Sequence, residues 1–290
     1  MSAPDILLAT VNAEEIKKVV KGRYGKAAEG DGGNGCCSCA TEVTSNLSFA
    51  TAHGLYAQEE LSLIPEIARN LSRGCGNPTG FAGLQPGEVV VDLGCGAGID
   101  VVLAAFRVGP SGKVVGVDFA SEMIERAKQA VAEAGLSGTA EFVVADMECH
   151  NLPDSFADLV ISNCVINLSP DKHAVYREAF RILKPDGRLA ISDIVLAEKI
   201  EPRVKARLQS TWSGCLGGAI DEESYFDTIR KAGFRRVEIV ARHAIASQEL
   251  DEMSCCPGPE FTPPPAKEDL AAVHGKVVSI KFTAVKPRIS

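Results

Sequence analysis

The sequence predicts an α/β protein: a seven-stranded, mainly parallel sheet with helices on both faces, preceded by a helical cysteine-bearing extension and interrupted by insertions near its end. Three observations carry that prediction. From residue 88 onward, segments rich in Val and Ile alternate with helix-period segments at the spacing of βαβ units. The first of those strands runs straight into a glycine-rich turn, "VDLGCGAG" (91–98). The chain has 290 residues, 46% of them hydrophobic and 23% charged, which is globular and large enough for one domain with insertions or two modest ones.

Residues 12–24 predict a helix, with an Asn12–Glu15 capping pattern and an apolar stripe of Ile16, Val19 and Val20. "GDGGNGCCSC" (30–39) has no periodicity and is expected to be a loop. A second helical stretch, 59–71, carries Leu61, Ile64 and Ile67, with Pro65 marking a bend or a first turn. Strands follow at 88–94, 113–120, 140–147, 157–165 and 187–195. Helices at 98–108, 121–134 (opened by Ser121 as cap) and 170–184 connect them. Two later strands, 235–245 and 276–286, complete the seven, with the last pair expected to be partly antiparallel. Segments 196–222 and 246–275 are insertions, the second Pro-rich and expected at the surface. The chain thus divides into an N-terminal helical and Cys-loop segment (1–85), a ligand-binding core (86–195), and an insertion that completes the sheet (196–290).

Lys+Arg 30 against Asp+Glu 38 leaves a net charge of −8, which argues against a nucleic-acid partner. There is no apolar run of membrane-spanning length, and Asp5 and Glu14–Glu15 come too early for a secretory leader. A cytoplasmic monomer with no membrane partner is expected. Ten cysteines stand at 36, 37, 39, 75, 95, 149, 164, 215, 255 and 256. Without a leader, a disulfide scaffold is not expected, which leaves metal or metalloid ligation, redox chemistry or core filling.

In the glycine turn, Gly94, Gly96 and Gly98 let the backbone approach a ligand closely. Asp118 ends the second strand, where a carboxylate receives ribose hydroxyls. Asp146 ends the third, where an acid accepts from an adenine amino group, with Met147 available to pack on the ring. A pyrophosphate, as in NAD, prefers G-x-G-x-x-G; here the spacing is G-x-G-x-G with Asp92 two residues before it. A cationic sulfonium suits Asp92, Asp118 and Asp146 better than a pyrophosphate does. The pattern resembles the class I S-adenosylmethionine methyltransferases, and "LKPDGRLAISD" (183–193) resembles their entry into the fifth strand. S-adenosylmethionine is therefore the expected cofactor, ahead of NAD.

Cys164 stands in "LVISNCVINL" (159–168), at the strand end where parallel sheets open onto their ligands. Alone it would read as a small buried hydrophobe. Cys75 sits in the turn "RGCGNPTG", hard to bury as core, and Cys215 in "TWSGCLGGAI", with Cys36 and Cys37 in the N-terminal loop. Several loop thiols are good soft-ligand candidates. Together, "YG…CC" (24–37), "CGNP" (75–78), "DLGCGAGID" (92–100), "SNCVINL" (162–168) with "DK" (171–172), and "GCLGG" (214–218) resemble the arsenite methyltransferases, in consistent order over roughly residues 20–245.

The resemblance implies that Cys75, Cys164 and Cys215 hold trivalent arsenic, the last two also retaining methylated forms. It further implies that Cys36 or Cys37 joins in disulfide exchange. Arsenite and methylarsenite would be the substrates, with thioredoxin or glutathione as reductant. The chemistry agrees. Arsenite is a poor methyl acceptor, whereas a pyramidal As(S)₃ centre aims one lone pair at the methyl, and such positioning can supply on the order of 7–11 kcal/mol. Methylation formally oxidises arsenic, so electrons must return from thiols.

Other residues take blander readings. Cys95 meets the loop's need for a small side chain, and Cys149 is incidental. Cys255 and Cys256 either relay arsenic or are an exposed pair. "CCSC" lacks the second C-x-x-C that zinc would want. His53, His150 and His173 are expected at the surface or at helix ends, and Trp212 either packs over the arsenic site or, as a lone Trp usually does, fills core. Two other functions stay open: a quinone-type methyltransferase, which leaves three loop cysteines unexplained, and a metalloid-binding protein without turnover.

Overall fold

The computed structural model describes residues 12–29, 55–72, 74–208, 215–247, 249–250 and 266–288. Cys36, Cys37, Cys39, His53, Trp212, Cys255 and Cys256 lie outside the described residues.

All seven strands form one sheet: β1 (Val89–Leu93), β2 (Lys113–Asp118), β3 (Ala140–Val144), β4 (Ala157–Asn163), β5 (Leu183–Leu196), β6 (Arg235–Ala244) and β7 (Val277–Val285). Their order is β3-β2-β1-β4-β5-β7-β6. Strands β1 to β5 pair in parallel, while β7 inserts between β5 and β6 and runs antiparallel to both. Strand order reverses between β1 and β4, so a crevice opens beyond their carboxyl ends. Both strands are Val/Ile/Leu-rich and almost wholly buried, as central parallel strands must be.

Helices connect and cover the strands: α1 (Ala13–Glu29), α2 (Gln58–Leu63), α3 (Glu66–Leu71), α4 (Ile99–Val108), α5 (Ser121–Glu133), α6 (Lys172–Ile182), α7 (Pro202–Leu208), α8 (Glu222–Lys231) and α9 (Lys267–Ala271). Alternate strand residues serve opposite faces. Val91 and Val160 join Tyr176 of α6 and Tyr225 of α8 in one core. Val90 and Leu159 join Val101 and Val102 of α4 and Ile124 of α5 in the other. No helix among the described residues is long and apolar enough to cross a membrane.

Local expectations needed four corrections. Helix α1 runs on to Glu29, and Asn12 Oδ1 accepts from Glu14 N at 3.1 Å rather than forming a box with Glu15. The 59–71 stretch is two helices, because Pro65 has no N–H to donate and starts the second. Ser121 is the first helical residue and not the cap: its hydroxyl turns to Glu122, and Ala120 N is satisfied by Asp118 Oδ1 at 2.9 Å. His150 is 3% exposed, not at the surface; among the described residues neither ring nitrogen has a hydrogen-bond partner, and Nδ1 stands 4.0 Å from Glu178 Oε2. Burial pushes its pKa down, which favours a neutral ring.

Candidate active site

An open cavity occupies the crevice beyond β1 and β4, lined by Asp92, Gly94, Gly96, Asp118, Asn163 and Cys164 among others, with Tyr24 of α1 also in its wall. Two glycines explain the loop's composition. A Cβ on Gly94 (φ 73°) would lie 2.4 Å from Val165 Cγ1, whereas one on Gly96 (φ 51°) would meet nothing within 4 Å. The first is closed by packing and the second is left open for a ligand to approach the backbone. Asp118 is tied to this loop: Oδ2 accepts from Gly96 N and Oδ1 from Ala120 N, both at 2.9 Å. Its carboxylate is thereby held in place before any ligand arrives.

The cavity floor is acidic. Burial, then repulsion from Asp100 and Asp118, pushes the Asp92 carboxyl well above its usual range. Burial also raises Asp118, against the backbone N–H groups that hold its charged form. Asp100 is pushed up to about 6 by burial, opposed by hydrogen bonds from Asn163 and Tyr56. Three carboxylates so crowded favour a cationic ligand. A ligand carrying a sulfonium, an amino group and ribose hydroxyls fits this donor set.

Asp146 and Met147 are not in the cavity lining. The Asp146 carboxylate pairs with Lys17 of α1 at 2.7 Å and accepts from Glu148 N at 2.9 Å, while Met147 packs against the core. Two lining residues that sequence reasoning missed, Asp100 and Asn163, complete the site instead, with Tyr56 bonded to both from outside the lining. Tyr56 OH donates to Asp100 Oδ1 (3.1 Å), and Asn163 Nδ2 donates to Asp100 Oδ2 (3.0 Å). Asp100 follows the glycine turn in "GAGID", but an acid in a first helical turn is ordinary, and nothing local marks Tyr56 or Asn163.

The structure brings Cys75, Cys164 and Cys215 together. Each is only 6–7% exposed, and they share one buried cluster with Ile16, Val20, Leu168 and Leu216. Cys75, expected to resist burial, is therefore buried beside the other two. Cys164 follows β4 directly, and its N donates to Ser192 O at 2.8 Å. Cys215 opens the turn after α7, and its Sγ donates to Cys164 O at 2.8 Å. Cys75 N donates to Asn163 Oδ1 (3.1 Å), and Cys75 O accepts from Ser279 Oγ (3.1 Å). Hydrogen bonding with the Cys215 thiol and then with the Cys75 thiol, followed by burial, pushes the Cys164 thiol well above its usual pKa. Cys164 and Cys215 are also both left-handed, at φ 63° and 71°. A side chain there costs on the order of 1–2 kcal/mol, and such outliers gather at functional sites.

Behind these thiols lies Lys172, 8% exposed, its pKa lowered to about 8 by burial against the pull of Asp193 and of Cys215. Cys95 packs on β2, where its Sγ stands 2.8 Å from the Cβ position of Gly116; Cys149 is exposed. Among the described residues no His, Cys, Asp or Glu group is preset at metal-ligand geometry.

A family model described as a methyltransferase domain matches residues 84–242. An arsenite methyltransferase from Halobacterium salinarum is 36% identical over 250 residues, covering 82% of this chain and 62% of that protein. Another, from Mus musculus, is 31% identical over 262 residues, covering 84% and 65% respectively. The chain thus spans less than two thirds of the length of these curated relatives. The crystal structure of an arsenic(III) S-adenosylmethionine methyltransferase from Chlamydomonas reinhardtii superposes with a TM-score of 0.63 at 30% identity, covering 80% of this chain and 73% of that one. Fold, glycine turn and sequence likeness agree, and the chain belongs to the class I methyltransferases and, among them, to the arsenite methyltransferase family.

Proposed function

We propose that the protein transfers a methyl group from S-adenosylmethionine to trivalent arsenic held by Cys75, Cys164 and Cys215, giving methylated arsenicals. One observation carries the reading: three cysteines far apart in sequence are buried side by side, and one of them, Cys164, also lines the acidic cavity.

Bound in that cavity, S-adenosylmethionine would supply an electrophilic methyl on a sulfonium. The chain's own residues do the rest. Asp118 offers its prearranged carboxylate to ribose hydroxyls, the Gly94–Gly98 turn admits the amino-acid end, and Asp92 contributes negative charge opposite the cation. Asp146, with Met147, is assigned to the adenine once its ion pair with Lys17 yields.

Arsenite enters as the neutral trihydroxide. Each thiol proton leaves with an arsenic-bound hydroxyl as water, so three As–S bonds replace three As–O bonds without net charge. Cys215 Sγ, turned onto the Cys164 carbonyl in the structure, joins by side-chain rotation. Ile16, Val20, Leu168 and Leu216 keep water from hydrolysing those bonds. The arsenic lone pair, carrying no proton, needs no general base. Taking the methyl that bound S-adenosylmethionine would supply, with loss of its methyl–sulfur bond, that lone pair would form the As–C bond and arsenic would become formally As(V). Two As–S bonds then break as their sulfurs join in a disulfide, which returns two electrons to arsenic; two waters displace the third sulfur, restoring its thiol and releasing one proton, and methylarsenite leaves. Exchange with Cys36 or Cys37, which lie outside the described residues, and reduction by thioredoxin or glutathione restore the thiols.

Incubation with arsenite, S-adenosylmethionine and a thiol, followed by chromatography of arsenic species, tests this directly. Methylated arsenicals are expected. Methylation of a quinone precursor with no arsenic product would instead favour the carbon- or oxygen-acceptor reading. Arsenite binding indifferent to S-adenosylmethionine, without turnover, would favour simple metalloid binding.

A further inference from the structure

We infer that Asn163 is a positioning residue that sets the place of Cys75, and thereby decides whether the site accepts arsenite as well as methylarsenite. The inference rests on the three-thiol reading above.

Asn163 ends β4, next to Cys164, and its side-chain amide faces the Cys75 loop. Its Oδ1 accepts from Cys75 N (3.1 Å) and Gly76 N (3.2 Å). Its Nδ2 donates to Gly76 O (2.7 Å) and to Asp100 Oδ2 (3.0 Å), with Tyr56 OH at 3.1 Å. One side chain thus grips the loop backbone at Cys75 and Gly76, accepting from both N–H groups and donating to the Gly76 carbonyl. An amide is the group that does this: a carboxylate would set an acceptor against Gly76 O and Asp100, and an aliphatic residue would leave both N–H groups unpaired.

The loop is built to lie on this side chain. A Cβ on Gly74 would come within 2.4 Å of Asn163 Nδ2, and one on Gly76 within 1.9 Å of Ser192 Oγ. Glycine on both sides of Cys75 permits that approach and removes the local stiffness that would otherwise fix the loop. The clamp must come from outside, from Asn163 and from Ser279 Oγ on Cys75 O at 3.1 Å.

The other two thiols do not depend on it. Cys164 is fixed by its backbone bond to Ser192 O on β5 at 2.8 Å, and Cys215 by its own bond to Cys164 O at 2.8 Å. Loss of the Asn163 amide therefore displaces one sulfur of the three. Arsenite, with three hydroxyls to exchange, needs all three; methylarsenite needs two.

The test measures kcat/KM for arsenite and for methylarsenite at saturating S-adenosylmethionine in wild type, Asn163→Ala, the near-isosteric Asn163→Asp, and Cys75→Ser. In both Asn163 variants the arsenite value should fall on the order of 10²-fold relative to the methylarsenite value, the cost expected of a misplaced reacting group. Because Asn163 also lines the cofactor cavity, methylarsenite turnover is expected to fall as well but by much less, so the readout is the ratio of the two kcat/KM values, with far-UV circular dichroism of the same preparation reporting an intact fold. Equal loss on both substrates, as for a residue serving only the cofactor or the fold, would overturn the inference. If Cys75→Ser separates the substrates and the Asn163 variants do not, the inference fails and the three-thiol reading stands. If Cys75→Ser does not separate them, both fall.

Discussion

Cys215 Sγ donates a hydrogen bond to the carbonyl oxygen of Cys164 at 2.8 Å, joining two residues 51 positions apart that both adopt left-handed backbone. Neighbouring residues at such kinks are often glycine, yet here the strain is borne by cysteine. Glycine substitution therefore separates backbone from thiol. Cys164→Gly and Cys215→Gly should each relieve on the order of 1–2 kcal/mol of strain while losing a similar amount of burial. Melting temperature should move by less than about 4 °C, while methylation of both arsenite and methylarsenite vanishes. Calorimetry and product analysis on the same samples check this; a collapse in stability would make the thiols packing residues first.

In the proposed reaction Cys75 serves the step that needs a third sulfur. Cys75→Ser should stop conversion of arsenite yet leave methylarsenite as a substrate, whereas Cys164→Ser and Cys215→Ser should stop both. Time courses with each arsenical distinguish the cases, and equal inhibition by all three variants would contradict the division of labour.

Asp193 should make stability depend on pH. It is wholly buried, accepts from Tyr225 OH (2.7 Å) and Asn167 Nδ2 (2.9 Å), and burial pushes its carboxyl from 3.8 up to about 6. The folded protein thus binds this proton more tightly than the unfolded chain does. Its stabilising contribution is complete below pH ~4 and is lost as pH rises through about 6, a change on the order of 3 kcal/mol. Asp193→Asn has no proton to lose. Urea unfolding from pH 4 to 7 should show wild-type stability falling relative to the variant by that order, and a constant difference would refute the titration.

Lys17 latches α1 across the end of β3, pairing with Asp146 at 2.7 Å and with Glu148. Both pairs are partly exposed, so their joint contribution is about 1 kcal/mol or less. Lys17→Ala should speed amide exchange in residues 13–29 by up to about fivefold and leave exchange in β1 and β4 unchanged, as hydrogen-exchange mass spectrometry would register. No change in α1 would mean that its apolar packing alone holds it.

What the sequence made legible follows from how local each signal is. Runs of Val and Ile announced all seven strands, and the glycine turn with Asp118 announced the acidic cavity. Sequence could not announce that β7 slips between β5 and β6, because that depends on which edge is left to pair. Nor could it reveal the bonds joining Tyr56, Asp100 and Asn163, which connect residues 44 to 107 positions apart with no shared pattern. His150 was misjudged for the same reason, since nothing beside it in sequence foretells its burial. Asp146 and Met147, expected at the ligand, lie outside the cavity lining: Asp146 pairs with Lys17 on a helix more than a hundred residues earlier, and Met147 packs against the core.

The most direct measurement is X-ray absorption at the arsenic edge, with one equivalent of arsenite on a chain in which Cys36, Cys37, Cys39, Cys255 and Cys256 are serine. Three sulfur neighbours and no oxygen are expected on arsenic, falling to two sulfurs when Cys75 is also replaced. An arsenic atom that keeps an oxygen, or counts fewer than three sulfurs with all three cysteines present, would contradict a site built from Cys75, Cys164 and Cys215.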